Sequence, residues 1–250
     1  KSIVEKVICK SKKIECVIEG DIKYSFYPTP RVKIYDLIIN NFDNKKNFSA
    51  KIEKTFIKIS FKNLLNIRRH EFKKVIFDKF QINLDLKKYP NIFSQEINNI
   101  PFIFKNGKII LNNKGNYVAL LNNVNFKLIN KENSTEFKLD SDFLNDELYI
   151  NLDRNILNNN KEEKFDLIIK MSKLNLLTKA NFSKFNKSHK VISGNILVKK
   201  NKNKITSIFE YKDNKFTIKK SNIRNSFIDG SLKGDIVFFP FFQFNLDADL

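Results

Sequence analysis

Residues that commonly carry catalysis are few in this chain, and their spacing forms no known catalytic motif. The two histidines, His70 and His189, stand in unrelated polar contexts and lack the spacing of a zinc site. The acidic pair Glu162-Glu163 lies in a polar segment, where a solvated surface explains it better than acid–base chemistry. No nucleophile elbow, phosphate-binding loop or dinucleotide-binding glycine motif occurs. We therefore predict that the chain is not an enzyme, and we expect no metal ion or other cofactor.

The strong positive charge could bind a polyanion. The 250 residues include 46 Lys and Arg against 27 Asp and Glu, giving a formal net charge of +19. Arginine, which reads phosphates and bases bidentately, is rare here, and the lysines alternate with acids on the polar side of predicted strands. We interpret most of the charge as a solvated face and do not expect a nucleic-acid partner. A selected anionic partner is the alternative.

What remains is an apolar surface that recurs with a period of two. Between Lys13 and Phe26, the charged side chains share one parity, which is typical of a half-buried β-strand. The other parity carries Ile14, Cys16, Ile18, Ile22, Tyr24 and Phe26. Similar segments follow at intervals of roughly 8–12 residues, which is typical of large antiparallel sheets. The pattern thus predicts a mostly β protein, formed as a single domain over residues 1–250.

Local signals refine this prediction. Apolar spacing over residues 2–9 predicts a short amphipathic helix before the first strand. A change of parity near Tyr35-Asp36 predicts a β-bulge, and Asn106-Gly107 predicts a hairpin turn. Residues 62–71 and 87–99 break the alternation and should be connections.

The ends of the chain and its cysteines bear on location. No stretch approaches the ~18 apolar residues of a membrane span, and the first residue is Lys1 rather than Met. We expect the chain to be a fragment, with any membrane anchor or export signal upstream of Lys1. For the only two cysteines, Cys9 and Cys16, we expect two buried thiols, with a disulfide bond as the alternative.

The apolar side of the predicted strands can be interpreted in two ways. In a β-sandwich, the oily faces of two sheets pack on each other and are simply the core. A single curved sheet could instead leave its apolar face open to a lipid, because alternating strands offer continuous apolar cover without a membrane span. A lipid with about thirty methylenes gains about 25 kcal/mol from such cover, at about 0.8 kcal/mol per methylene.

Residues 20–39 carry a family resemblance. A glycine, an amphipathic strand, an aromatic-Pro corner at Tyr27-Pro28 and an apolar strand around Asp36 follow in the order of the N-terminal signature of AsmA-like proteins. The double leucine Leu64-Leu65 and the later Asn106-Gly107 also resemble that family. Asn66-Ile67 departs from the pattern, since a glycine often follows the double leucine.

The resemblance implies a large curved antiparallel sheet forming an open apolar groove, or β-taco, behind a short N-terminal helix. It implies a protein of the Gram-negative envelope that is anchored in the inner membrane, projects into the periplasm and moves phospholipid toward the outer membrane. Acyl chains would contact one stripe of side chains, namely Ile14, Ile18, Ile22, Tyr24, Phe26, Val32, Ile34, Ile57, Ile59, Phe61, Phe80, Ile82 and Leu84.

Two other functions stay open at this point. Within the same family, a scaffold that assists the assembly of outer-membrane proteins would use exposed strand edges to pair with client strands. Outside the family, a polyanion binder would use the lysine face, and its affinity would fall steeply with salt.

Overall fold

The elements of the structure are β-strands. The computed structural model describes residues 16–41, 44–61, 72–85, 100–157, 162–185, 191–237 and 242–249. The helix predicted over residues 2–9 lies outside these ranges, as do most of the predicted connections. The strands are β1 (Cys16–Ile18), β2 (Ile22–Ser25), β3 (Arg31–Asn41), β4 (Asn44–Ile59), β5 (Phe72–Asp85), β6 (Phe102–Asn113), β7 (Asn116–Lys131), β8 (Ser134–Phe143), β9 (Asp146–Leu157), β10 (Glu162–Met171), β11 (Leu176–Phe185), β12 (Val191–Lys200), β13 (Asn203–Lys212), β14 (Lys215–Arg224), β15 (Asp229–Val237) and β16 (Gln243–Asp249).

These strands belong to one open sheet, and they divide into two compact units. The N-terminal unit comprises residues 1–130 with 140–143, and the C-terminal unit comprises residues 131–139 with 144–250. In the N-terminal unit, β1 and β2 both pair with β3, and β4 to β7 follow in chain order. In the C-terminal unit, β9 to β16 follow in chain order. The prediction of a mostly β fold built on one large open sheet is confirmed.

One strand pair departs from the antiparallel prediction. β5 and β6 run parallel, with Val75 opposite Phe102 and Asp85 opposite Asn112. Every other strand pair described within the two units is antiparallel. Alternation along a strand sets its faces but carries no information on its direction, so the sequence could not reveal this pair.

The hairpin predicted at Asn106-Gly107 is wrong. β6 continues through these residues to Asn113, and the chain turns at Lys114-Gly115, where both residues have positive φ. Asn106 also has a positive φ of 56°, and the pairing of β6 with β7 shifts register there. An Asn-Gly pair tolerates the left-handed conformation in a bulge as readily as in a tight turn.

Bulges of this kind cross the N-terminal unit strand by strand. Asp36, Lys79, Asn106 and Asn123 take φ between 49° and 56° within β3, β5, β6 and β7. The register of β3 with β4, of β4 with β5 and of β5 with β6 is the same on both sides of these positions, so the irregular residues line up across the strands. The parity of each strand reverses there, and apolar side chains on both sides stay on one face. The irregularity predicted near Tyr35-Asp36 is therefore present.

Two other strand predictions needed correction. The long strand predicted from Lys13 to Phe26 is broken at Glu19–Asp21 into β1 and β2, where Asp36 O accepts a hydrogen bond from Glu19 N. β11 was not identified from the alternation. The described residues contain no helix that is long and apolar enough to cross a membrane.

Candidate functional site: the apolar face of the sheet

In the N-terminal unit, the strand register aligns apolar side chains in rows across the sheet. Directly opposed residues lie on the same face, so each row follows from the pairing. Together these rows form what we call the apolar face. One row consists of Tyr24, Val32, Ile57, Val75, Phe102 and Leu128. The next consists of Ile22, Ile34, Thr55, Phe77, Phe104 and Phe126. Beyond the bulges, a further row consists of Ile39, Ala50, Ile82, Ile109 and Leu121.

The predicted lipid-contact residues that the structure describes differ in how deeply they are buried. Ile18, Ile34, Ile57 and Phe80 are at most 4% exposed and form the floor of the face. Half-buried residues lie around them, namely Ile22, Val32, Ile59, Ile82 and Leu84. At the ends of the strands, three aromatic side chains are more than half exposed, namely Tyr24, Phe26 and Phe61. Ile14 lies outside the described residues. The structure thus gathers most of the stripe, and the surface that a ligand could touch is its half-buried margin.

An aromatic cluster fills the centre of this face. The Phe80 ring packs edge-on against Phe104 and Phe126, at centroid distances of 5.2 and 5.7 Å. Phe77 adds a tilted contact to Phe104 at 4.5 Å. Gly107 makes this packing possible, because a Cβ there would lie 2.2 Å from the Phe80 ring. Phe77, Phe104 and Phe126 were not among the predicted lipid-contact residues, because the reversal of parity within their strands does not show in the alternation.

The C-terminal unit has an apolar face of the same kind. One row consists of Ile150, Ile169, Thr178, Val198, Ile205 and Ile223. A second consists of Phe165, Phe182, Gly194, Phe209, Ile218, Gly234 and Leu246. The described part of this unit has only five buried apolar side chains, namely Leu139, Met171, Ala180, Phe209 and Ile218. Eight paired strands covered by a second layer would bury many more.

A cluster of charges interrupts this face at one end. Arg154 donates from Nε and Nη2 to the two carboxylate oxygens of Glu163, at 3.2 and 2.9 Å. Lys184, directly opposite Glu163, lies 3.9 Å from Glu163 Oε2. The rows beside it return to apolar residues. Hydrocarbon bound on this face would therefore have to end before the cluster, because removing these charges from water is costly.

A buried carboxylate ties together two hairpin turns of the C-terminal unit. Asp146 is 3% exposed, and its carboxylate accepts hydrogen bonds from the backbone N–H groups of Glu147, Lys173 and Leu174. Burial alone would raise the pKa of the Asp146 carboxyl, but the three donors and nearby Lys173 outweigh it and hold the pKa below its ordinary value. Asp146 is thus a structural anchor for the turns at Leu144-Asn145 and Ser172–Asn175.

Other chemistry is sparse in the part of the chain that the structure covers. No group of three or more His, Cys, Asp or Glu side chains there could hold a metal ion. Both histidines lie outside the described ranges. Cys16 is disulfide-bonded, contrary to the expected thiol, and the other cysteine of the chain, Cys9, is not among the described residues. A depression of about 450 Å³ lies on the polar side of β11–β14, lined by Lys179, Asn181, Asn195, Thr206, Lys220 and Asn222 among others.

Comparison with known proteins found no match of this chain to a protein family, to a curated protein or to a solved structure.

Proposed function

We propose that this chain is a lipid-binding groove of the AsmA-like kind, which carries phospholipid between the inner and outer membranes from an anchor in the inner membrane. The observation that carries the proposal is the strand pairing within each unit: the described strands lie side by side in one sheet, and no separate sheet is found among them. Acyl chains could cover the half-buried apolar side chains of these rows. Each methylene buried in this way would contribute about 0.8 kcal/mol to the free energy of binding.

The disulfide at Cys16 supports the proposed location. Disulfide bonds persist in oxidising compartments such as the bacterial periplasm and are rare in the cytosol. A periplasmic groove would meet lipids from both membranes. The charged cluster around Glu163 would mark an end of the hydrocarbon path in the C-terminal unit.

Lipid content tests the proposal directly. The purified chain should carry phospholipid that native mass spectrometry detects, and it should take up a fluorescent phospholipid. Ile82→Asp, on the half-buried margin, should reduce uptake severalfold and cost about 1–3 kcal/mol of stability. Leu84→Asp, two residues further along β5, provides a second variant in case the first one unfolds.

The neighbouring residue supplies the matched control. Gln81 lies opposite Lys51 and Lys108 on the polar face, so Gln81→Asp should leave lipid uptake unchanged. By contrast, Ile34 is fully buried, and Ile34→Asp should unfold the chain. A well-folded wild-type chain that holds no lipid and ignores the fluorescent probe would end the proposal.

One observation favours the scaffold function as a second candidate. β16 pairs only with β15 among the described strands, and six of its seven residues are exposed, with Phe244 at 66%. Such an edge can accept an added strand from a client protein. Crosslinking from Phe244 to unfolded outer-membrane proteins, without any lipid signal, would favour this function over lipid carriage.

A further inference from the structure

Two rows on the opposite, polar face of the N-terminal unit concentrate positive charge near one end of the strands. In the first row, Arg31 lies opposite Lys58, and Lys58 lies opposite Lys74. The second row consists of Lys23, Lys33, Phe56, Ile76, Ile103 and Lys127. We call the six cations of these rows, with the three apolar residues between them, the basic patch.

The basic patch is not neutralised by acids in the part of the chain described. Neither row contains an Asp or Glu, and none of the six cations takes part in a described ion pair. Other lysines do form ion pairs with acids, as in Lys79–Glu53 at 3.3 Å in the N-terminal unit and Lys215–Asp235 at 2.8 Å in the C-terminal unit. Burial, followed by repulsion from Lys58, Lys105 and Lys127, lowers the pKa of Lys74.

Like charges directly opposite one another destabilise a sheet. The two rows of cations therefore lower the stability of the folded chain, and a bound anion would relieve this repulsion. The middle of the second row is apolar: Phe56, Ile76 and Ile103 are half-buried side chains among lysines. At the adjoining corner, Tyr27 is 87% exposed, and its carbonyl oxygen accepts a hydrogen bond of 2.8 Å from Arg31 Nη2. Basic residues around apolar and aromatic side chains are the combination that suits an anionic membrane interface.

We propose that the basic patch docks the N-terminal unit on a membrane surface that carries anionic phospholipid headgroups. The apolar centre and the exposed tyrosine favour a lipid interface over a nucleic acid, which would be read better by arginines than by lysines. This surface lies on the face opposite the apolar rows, so it is independent of the lipid groove proposed above.

Vesicle binding by the whole chain tests the docking surface. The wild-type chain should co-sediment with vesicles of phosphatidylcholine mixed with phosphatidylglycerol, and only weakly with phosphatidylcholine alone. The triple variant Lys58→Gln, Lys74→Gln and Lys127→Gln should bind the mixed vesicles at least tenfold more weakly, since each basic residue near such a surface contributes about fivefold. The triple variant Lys164→Gln, Lys179→Gln and Lys199→Gln removes the same charge from the exposed polar face of the C-terminal unit and should bind like the wild type.

The remaining outcomes would contradict membrane docking by the basic patch. Equal losses in the two triple variants would mean that net charge alone drives binding, and unchanged binding in both would remove the surface altogether. Tighter binding to duplex DNA than to the mixed vesicles, lost in the first triple variant, would assign the patch to a polyanion instead. Ile82→Asp should keep vesicle binding, so failure of the groove and failure of the patch are separable.

Discussion

At the scale of single residues, Gly107 allows the aromatic cluster of the N-terminal unit to close. A Cβ at this position would lie 2.2 Å from the Phe80 ring, which is 3% exposed and held between neighbouring rings. Gly107→Ala should therefore cost about 1–3 kcal/mol of unfolding free energy through overpacking. Urea denaturation of this variant measures the effect.

Phe80→Leu provides the control for this prediction. The smaller side chain frees space beside Gly107, so the double variant should be less destabilised than the sum of the two single changes. Additive effects would contradict a direct clash between the two positions.

Asp146 predicts a specific acid sensitivity of the C-terminal unit. Because its pKa is lower in the folded chain than in the unfolded one, the stability that Asp146 contributes is present above the unfolded-state pKa. It is lost as the pH falls through the folded-state pKa. Asp146→Asn should lower the thermal midpoint at neutral pH and flatten its acid dependence, measured by circular dichroism.

An exposed aspartate serves as the comparison. Asp247 lies on exposed strand β16, and Asp247→Asn should leave the thermal midpoint at neutral pH close to that of the wild type. If the two variants behave alike, Asp146 does not anchor the turns.

At the scale of the strands, the row of Arg31, Lys58 and Lys74 should weaken the sheet in the absence of a partner. The pKa of Lys74 is lowered by burial first and by repulsion from neighbouring lysines second. Lys74→Gln removes both the buried charge and the repulsion, and it should stabilise the chain by about 0.2–1 kcal/mol at low salt. The gain should shrink as salt screens the charges. Lys215→Gln, which breaks the 2.8 Å pair with Asp235, should shift stability in the opposite direction.

The strands themselves were largely predictable, and the failures have physical causes. Alternation predicted a series of strands at intervals along the chain, because one apolar side is enough to impose a period of two. β11 was missed because Thr178 and Ala180 occupy its apolar side, so the contrast between its faces is weak. The turn after β6 was misplaced because Asn106-Gly107 and Lys114-Gly115 both allow positive φ, and only pairing with β5 and β7 decides between them.

At the scale of the whole chain, a closed sandwich and an open sheet are both compatible with the same parities, and only the family resemblance favoured the open sheet. The pairing shows that the described strands hydrogen-bond into one sheet rather than two separate ones. Parity also does not predict which residues of the stripe lie at the surface. Ile34 and Ile82 share the apolar face, yet one is fully buried and the other half-buried, because alternation along a strand assigns a side chain to a face and not to a depth.

An open apolar face should make the stability of the whole chain depend on lipid. A short-chain phospholipid that binds only the folded chain should raise the unfolding free energy by about 2.7 kcal/mol at a hundredfold excess over Kd. Differential scanning fluorimetry below the micelle concentration measures the shift. A midpoint that stays constant over that range would contradict an accessible face, and Ile82→Asp should reduce the shift.

The left-handed residues that cross the N-terminal unit also limit how the gene can change. Losing Asn106 would turn Ile109 and Leu111 toward water, whereas most substitutions of exposed side chains nearby would leave the strand in place. Codon deletions within β3, β5, β6 and β7 should therefore be tolerated far less often than replacements at the same positions. Among related sequences, strand length here would be more constant than residue identity.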